Sequence, residues 1–116
     1  MARVVAVIPD LLFGSNVVGA LRAAGHDVRL VADAPGARAS LGDGADVLVV
    51  DLVSDGLDGC ALVAAGGLGD ARTLGFYSHV DVDTKARADA AGFDLVVPRS
   101  RMNRDAAALV EGLAKG

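Results

Sequence analysis

Apolar residues along this chain gather into short continuous runs. Val4–Ile8, Val47–Val50 with Leu52 just beyond, Thr73–Tyr77 and Leu95–Val97 are each rich in β-branched or bulky apolar residues and too short for helices. Runs of that length and composition suit strands covered on both faces, as in a parallel sheet. A fifth segment, Val28–Ala32, alternates more and predicts an edge strand.

Helical periodicity fills the gaps. Ser15 or Asn16 is placed to cap a helix running to Ala24, with Val17, Val18, Leu21 and Ala24 on one stripe and Gly25 positioned to stop it. Asp81 or Asp83 is placed to cap the alanine-rich segment Thr84–Ala91, which Gly92 ends. Asn103 is placed to cap a last helix whose apolar face is Ala106, Val110 and Leu113. Pro35–Leu41 and Leu57–Ala65 read as short helices interrupted by glycine. Ala23-Ala24-Gly25-His26-Asp27-Val28 and Ala90-Ala91-Gly92-Phe93-Asp94-Leu95 share one punctuation of helix end, glycine stop and strand. The order is therefore βαβαβαβαβα. Right-handed crossovers then predict an α/β domain: a doubly wound five-stranded parallel sheet, order 2-1-3-4-5, with helices on both faces.

Composition narrows what such a domain does. The 116 residues suit a single domain over 1–116, and 53% hydrophobic residues are enough for one core. A net charge of −4 argues against generic nucleic-acid binding, which needs a basic face. The lone Cys60 cannot form an internal disulfide and suits a reducing compartment. The apolar run after Met1-Ala2-Arg3 is too short for a signal peptide, and no run nears the roughly 18–20 apolar residues that span a bilayer. The expectation is a cytoplasmic protein with no nucleic-acid or membrane partner.

Open parallel sheets place their sites beyond the carboxyl ends of the strands. There the chain puts Pro9-Asp10 after the first strand, Asp51 after the third, Ser78-His79 after the fourth and Pro98-Arg99 after the fifth. Two carboxylates, a hydroxyl and a cation are thus expected on one rim. His79 has no histidine or cysteine near it in sequence to complete a metal site, His26 follows a helix end where its ring suits the dipole, and Cys60 reads as a packed thiol. Arg99, Arg101 and Arg104 form the one basic cluster, a docking point for an anionic ligand or an acidic partner. Phe13-Gly14-Ser15-Asn16 follows the first strand but matches neither G-x-G-x-x-G nor G-x-x-x-x-G-K-[ST].

The segment Asp51-Leu52-Val53-Ser54-Asp55-Gly56-Leu57-Asp58-Gly59 resembles the phospho-acceptor region of receiver domains in bacterial response regulators, where Asp-Gly follows the acceptor aspartate at this same offset. Ser78 and Ala91-Gly92 match further receiver positions, and the order of elements matches over nearly the whole chain. The resemblance implies a flavodoxin-like three-layer sandwich. It also implies a stand-alone receiver, a signalling module and not an enzyme, whose Asp51 accepts a phosphoryl group. In that frame Asp10 and Asp51 hold Mg²⁺, Ser78 bonds the phosphoryl oxygen and Arg99 neutralises the added charge. Its partners would be a histidine kinase or a downstream effector, with homodimerisation through the last helix as a further route.

Three departures point toward a pseudo-receiver, which signals by protein contacts without phosphorylation. Pro9 stands where receivers carry a first acid, Pro98-Arg99 replaces lysine-proline, and Leu95-Val96-Val97 lacks the usual aromatic. An alternative of another class is a flavodoxin-like small-molecule or nucleotide binder, or a minor enzyme, using the strand-end crevice with an anion near Gly14–Asn16 and Arg99 as counter-charge.

Overall fold

The computed structural model describes residues 1–115. Arg3–Val7 (β1), Asp27–Val31 (β2), Val47–Asp51 (β3), Arg72–Tyr77 (β4) and Leu95–Pro98 (β5) pair in parallel, in the order β2-β1-β3-β4-β5. The register sets Val7 beside Val31 and Val50, and Asp51 beside Phe76. Leu11–Ala23 (α1), Ala34–Leu41 (α2), Gly59–Ala64 (α3), Val82–Ala91 (α4) and Arg99–Lys115 (α5) supply the crossovers.

The continuous apolar runs have the cause their pattern predicts. Along β3, Val47 and Val49 face one core while Leu48 and Val50 face another, and all four are fully buried. The first core joins Val4, Ala6 and Ile8 to Phe13, Val17 and Leu21 of α1 and to Met102, Ala106 and Val110 of α5. The second joins Val5 and Val7 to Ala37 of α2, Leu62 and Val63 of α3 and Ala88 of α4. Each of these large side chains stabilises the fold by roughly 1.5–3 kcal/mol relative to exposure, which commits the helices to these two layers. The alternation predicted for the edge strand appears as the buried Val28 between exposed Asp27 and Arg29.

Helix starts are governed by aspartate. Asp10, Asp33, Asp58 and Asp81 each accept a hydrogen bond from the amide three residues on, at 3.1, 2.8, 3.0 and 3.1 Å. The first of these corrects the predicted cap at Ser15 or Asn16. The helix begins at Leu11, so Phe13–Asn16 is helical and not a loop. The apolar pair Leu11-Leu12 hid this start, because both side chains are exposed and fall outside the buried stripe. The last helix also starts earlier than the predicted cap at Asn103. It begins at Arg99 and is interrupted at Asp105 (φ −121°, ψ 21°). Asp81 and Gly92 (φ 104°) bound α4 as their residue types predict.

Gly59 is required by close approach. A Cβ there would lie 2.5 Å from Val50 Cγ1 and 2.8 Å from Leu52 Cδ2. Gly59→Ala is therefore expected to lower stability by about 1–3 kcal/mol in urea titration. Gly19, on the exposed face of α1 with no neighbour near its Cβ direction, should respond oppositely, with Gly19→Ala raising stability by about 0.5–1 kcal/mol.

The cap of α4 adds a pH dependence. The Thr84 hydroxyl, then the Thr84 amide, bond the Asp81 carboxylate and hold its pKa below the ordinary value. A lowered folded-state pKa stabilises above the unfolded value of about 3.9 and is lost as pH falls through the folded one. Protection of the first-turn amides of α4 against exchange, relative to the intrinsic rate at each pH, should therefore fall on acidification below about pH 4, and Asp81→Asn should remove that dependence.

Candidate functional site

Four connections meet at the carboxyl end of the sheet and enclose a crevice of about 500 Å³. The start of α1 contributes Asp10, Leu12, Phe13 and Asn16, the loop after β3 contributes Val53, and the loop after β4 contributes Ser78 and His79. The beginning of α5 contributes Arg99, Ser100 and Asn103. Of the expected rim of Asp10, Asp51, Ser78 and Arg99, three residues line the crevice, and His79 lines it with them. Asp51 does not line the crevice.

Asp51 is 2% exposed, and its carboxylate is turned into its own loop. Oδ1 accepts from the amides of Val53 at 2.7 Å and Ser54 at 3.0 Å, and Oδ2 accepts from the Ser54 hydroxyl at 2.6 Å. This is an Asx-type turn: the carboxylate satisfies backbone donors left when β3 ends and the chain bends toward α3. Ser54 was not singled out from the sequence, although a hydroxyl three residues after an aspartate is the pattern of such a turn. The Asp58-Gly59 pair that carried the family resemblance has local work as well. Asp58 caps α3, and Gly59 admits the close contact with Val50.

Asp10 has two roles at once. Its Oδ1 caps α1, while its Oδ2 accepts from Arg99 Nη2 at 3.3 Å, both side chains being 44% exposed. The Arg99 guanidinium carbon stands 4.5 Å from the centre of the Phe13 ring, a cation–π arrangement. Phe13 in turn meets the buried Phe76 of β4, with ring centres 4.9 Å apart and planes inclined by 42°. A stack of Arg99, Phe13 and Phe76 therefore ties the start of α5 through α1 to the sheet. No sequence pattern links Phe13 to Arg99; only the fold brings them together.

Mg²⁺ prefers six oxygen ligands in octahedral array. Here Asp51 is engaged by three donors, Asp10 by an amide and a guanidinium, and the adjoining Pro9 offers no side-chain oxygen. No group of three or more acidic, histidine or cysteine side chains gathers among the described residues. The residues present, as arranged, do not fit that ion.

The remaining residues singled out from the sequence have structural partners. His26 is buried, and its Nδ1 accepts from the Ala2 amide at 3.0 Å. That bond assigns the ring proton to Nε2, which lies 3.2 Å from Glu111 Oε1 and can donate to it. The ring thus ties the residue leading into β1 to α5, a link not visible beside its helix-end position in sequence. Cys60 is half-buried, and burial raises its thiol pKa. Arg101 is exposed, and Arg104 pairs with Asp105 at 3.2 Å. No helix among the described residues is long and apolar enough to cross a membrane.

The sequence matches no protein-family model and no curated protein sequence. Solved structures do match. A protein assigned as a response regulator from Chloroflexus aurantiacus superposes with a TM-score of 0.87 at 19% identity, over 99% of this chain and 98% of that one. The signal receiver domain of NarL from Mycobacterium tuberculosis gives 0.84 at 25% identity, over 99% and 97%. The chemotaxis response regulator CheY4 of Vibrio cholerae gives 0.82 at 20% identity, over 97% and 98%. With its strand order and two helical layers, the chain has the flavodoxin-like fold of response-regulator receiver domains.

Proposed function

We propose that this chain is a pseudo-receiver: a signalling module of receiver fold that delivers its output by protein contacts, without metal-assisted phosphorylation of Asp51. In this reading it is a docking module and not an enzyme. One observation carries the proposal. The Asp51 carboxylate, which would accept the phosphoryl group, is 2% exposed and already bonded by two amides and a hydroxyl of its own loop. In-line attack by that carboxylate needs a free oxygen beside a bound cation. Freeing one here would take from the loop's amides and hydroxyl the acceptor that holds the turn, and the cation would have to displace Arg99 from Asp10.

The fold supports a signalling role, since the three solved structures just compared are described as response regulators or a receiver domain of one. The kinase or effector that would be its partner is part of the proposal. Arg99, Arg101 and Arg104 at the start of α5 offer such a partner a cationic edge, with Arg101 exposed and Arg104 paired only to its neighbour Asp105 among the described contacts.

Incubation with acetyl phosphate and Mg²⁺, followed by intact-mass measurement, tests this directly. The expected result is no phosphoryl gain on the wild type under conditions that label an ordinary receiver. A gain that disappears in Asp51→Asn would overturn the proposal. A second expectation concerns stability. Asp51→Ala strands the amides of Val53 and Ser54, so unfolding in urea should show a loss of about 2–3 kcal/mol. An unchanged midpoint would mean that the carboxylate is not holding the loop.

A further inference from the structure

Among the described residues, six large apolar side chains are exposed, and five of them stand at the carboxyl end of the sheet. Leu11 and Leu12 open α1, Val53 lies in the loop after β3, and Val80 and Val82 flank the cap of α4. Folding does not account for them. The buried stripe of α1 begins at Phe13, and neither valine beside Asp81 joins a core. Single exposed leucines are ordinary, but Leu12 and Val53 also line the crevice described above, and exposed apolar groups set beside polar ones in a crevice mark a binding site.

The crevice between them has one strong anchor. Arg99 is the only lysine or arginine lining it, and the Phe13 ring beneath the guanidinium restricts its orientation. The bond to Asp10 uses one of its five N–H donors. Asn16, Asn103 and Ser78 supply neutral polar groups on the same lining.

We propose that this crevice binds a small amphipathic carboxylate, with its oxyanion on Arg99 and its apolar body against Leu12 and Val53. The charge balance selects the class. Asp10 already neutralises part of Arg99, so a single negative charge is matched where a dianionic phosphate would meet a carboxylate and, apart from the His79 imidazole, no second basic side chain. The planar fork of arginine matches a carboxylate. A nucleotide base would find no open face on Phe13, because Arg99 covers it. The inference rests on the preceding reading, in which this end of the sheet does not run phosphoryl transfer, and gives that module a chemical input.

Octanoate, with octan-1-ol as its uncharged counterpart, is the probe. Titration of the full chain in phosphate-free, metal-free buffer is followed through the amide resonances of Val53, Ser78 and Asn103. Octanoate should shift them saturably, and octan-1-ol should bind roughly 10- to 100-fold more weakly, as should octanoate with Arg99→Gln. Leu12→Ser changes a side chain that is 75% exposed, so the fold is retained while octanoate affinity should fall roughly 5-fold. No saturable shift, equal binding of the alcohol, or unchanged affinity in both variants would overturn the inference. The two readings separate cleanly. Labelling of Asp51 by acetyl phosphate with octanoate still bound would sink only the pseudo-receiver reading, and the reverse pattern only the carboxylate site.

Discussion

The central strands of this protein have no polar face, and that constraint organises everything else. β1, β3 and β4 are apolar on both sides, so neither surface of the sheet can be left to water. Parallel pairing demands a crossover between successive strands, and the two exposed faces demand helices to cover them. α1 and α5 close one side, and α2, α3 and α4 close the other. The consequence is geometric: every strand-to-helix connection emerges at the same end. That end is where the strand ladders stop, where helix amides lack partners, and where polar side chains must accumulate.

Aspartate answers most of that demand. Four of the five helices begin under an aspartate cap, and Asp51 performs the related service for the turn after β3. An acid at the end of a strand in this fold is therefore under two competing claims, backbone satisfaction and chemistry. In this chain the backbone claim is met in full at Asp51 and shared at Asp10, whose second oxygen pairs with Arg99. The carboxylates that would gather a cation in a phosphorylating receiver are here spent on structure. What remains available at the carboxyl end is a guanidinium on an aromatic ring, a few neutral polar groups and an apolar rim. Those are the materials of recognition, on which the proposed docking role and carboxylate site both draw.

Much of the architecture was legible because its signals are local. Uninterrupted valine-rich runs need two covered faces, and glycine after Ala24 and Ala91 stops helices through a backbone conformation with positive φ that few other residues adopt (Gly25 φ 89°, Gly92 φ 104°). The same local reasoning misplaced the starts of α1 and α5. Leu11 and Leu12 carry no helical periodicity because both are exposed, and the turn from Arg99 to Arg104 has one buried residue, Met102, too few to form a stripe. α5 turns helical as soon as β5 ends and α1 directly after the Asp10 cap, and only packing against the sheet shows it.

The site divides along the same line. The order of residues alone determines which side chains reach the carboxyl rim, since strand ends are fixed by hydrophobic pattern and connection direction by handedness. It does not determine what each one does there. Whether Asp51 faces solvent or its own loop depends on a turn of three residues and the hydroxyl of Ser54. Whether Arg99 is a free cation depends on Asp10 and Phe13, more than eighty residues away in sequence. Hydrophobic pattern is a property of neighbours along the chain and can be read from it. The partners of a charge are neighbours in space, and only the tertiary structure decides them.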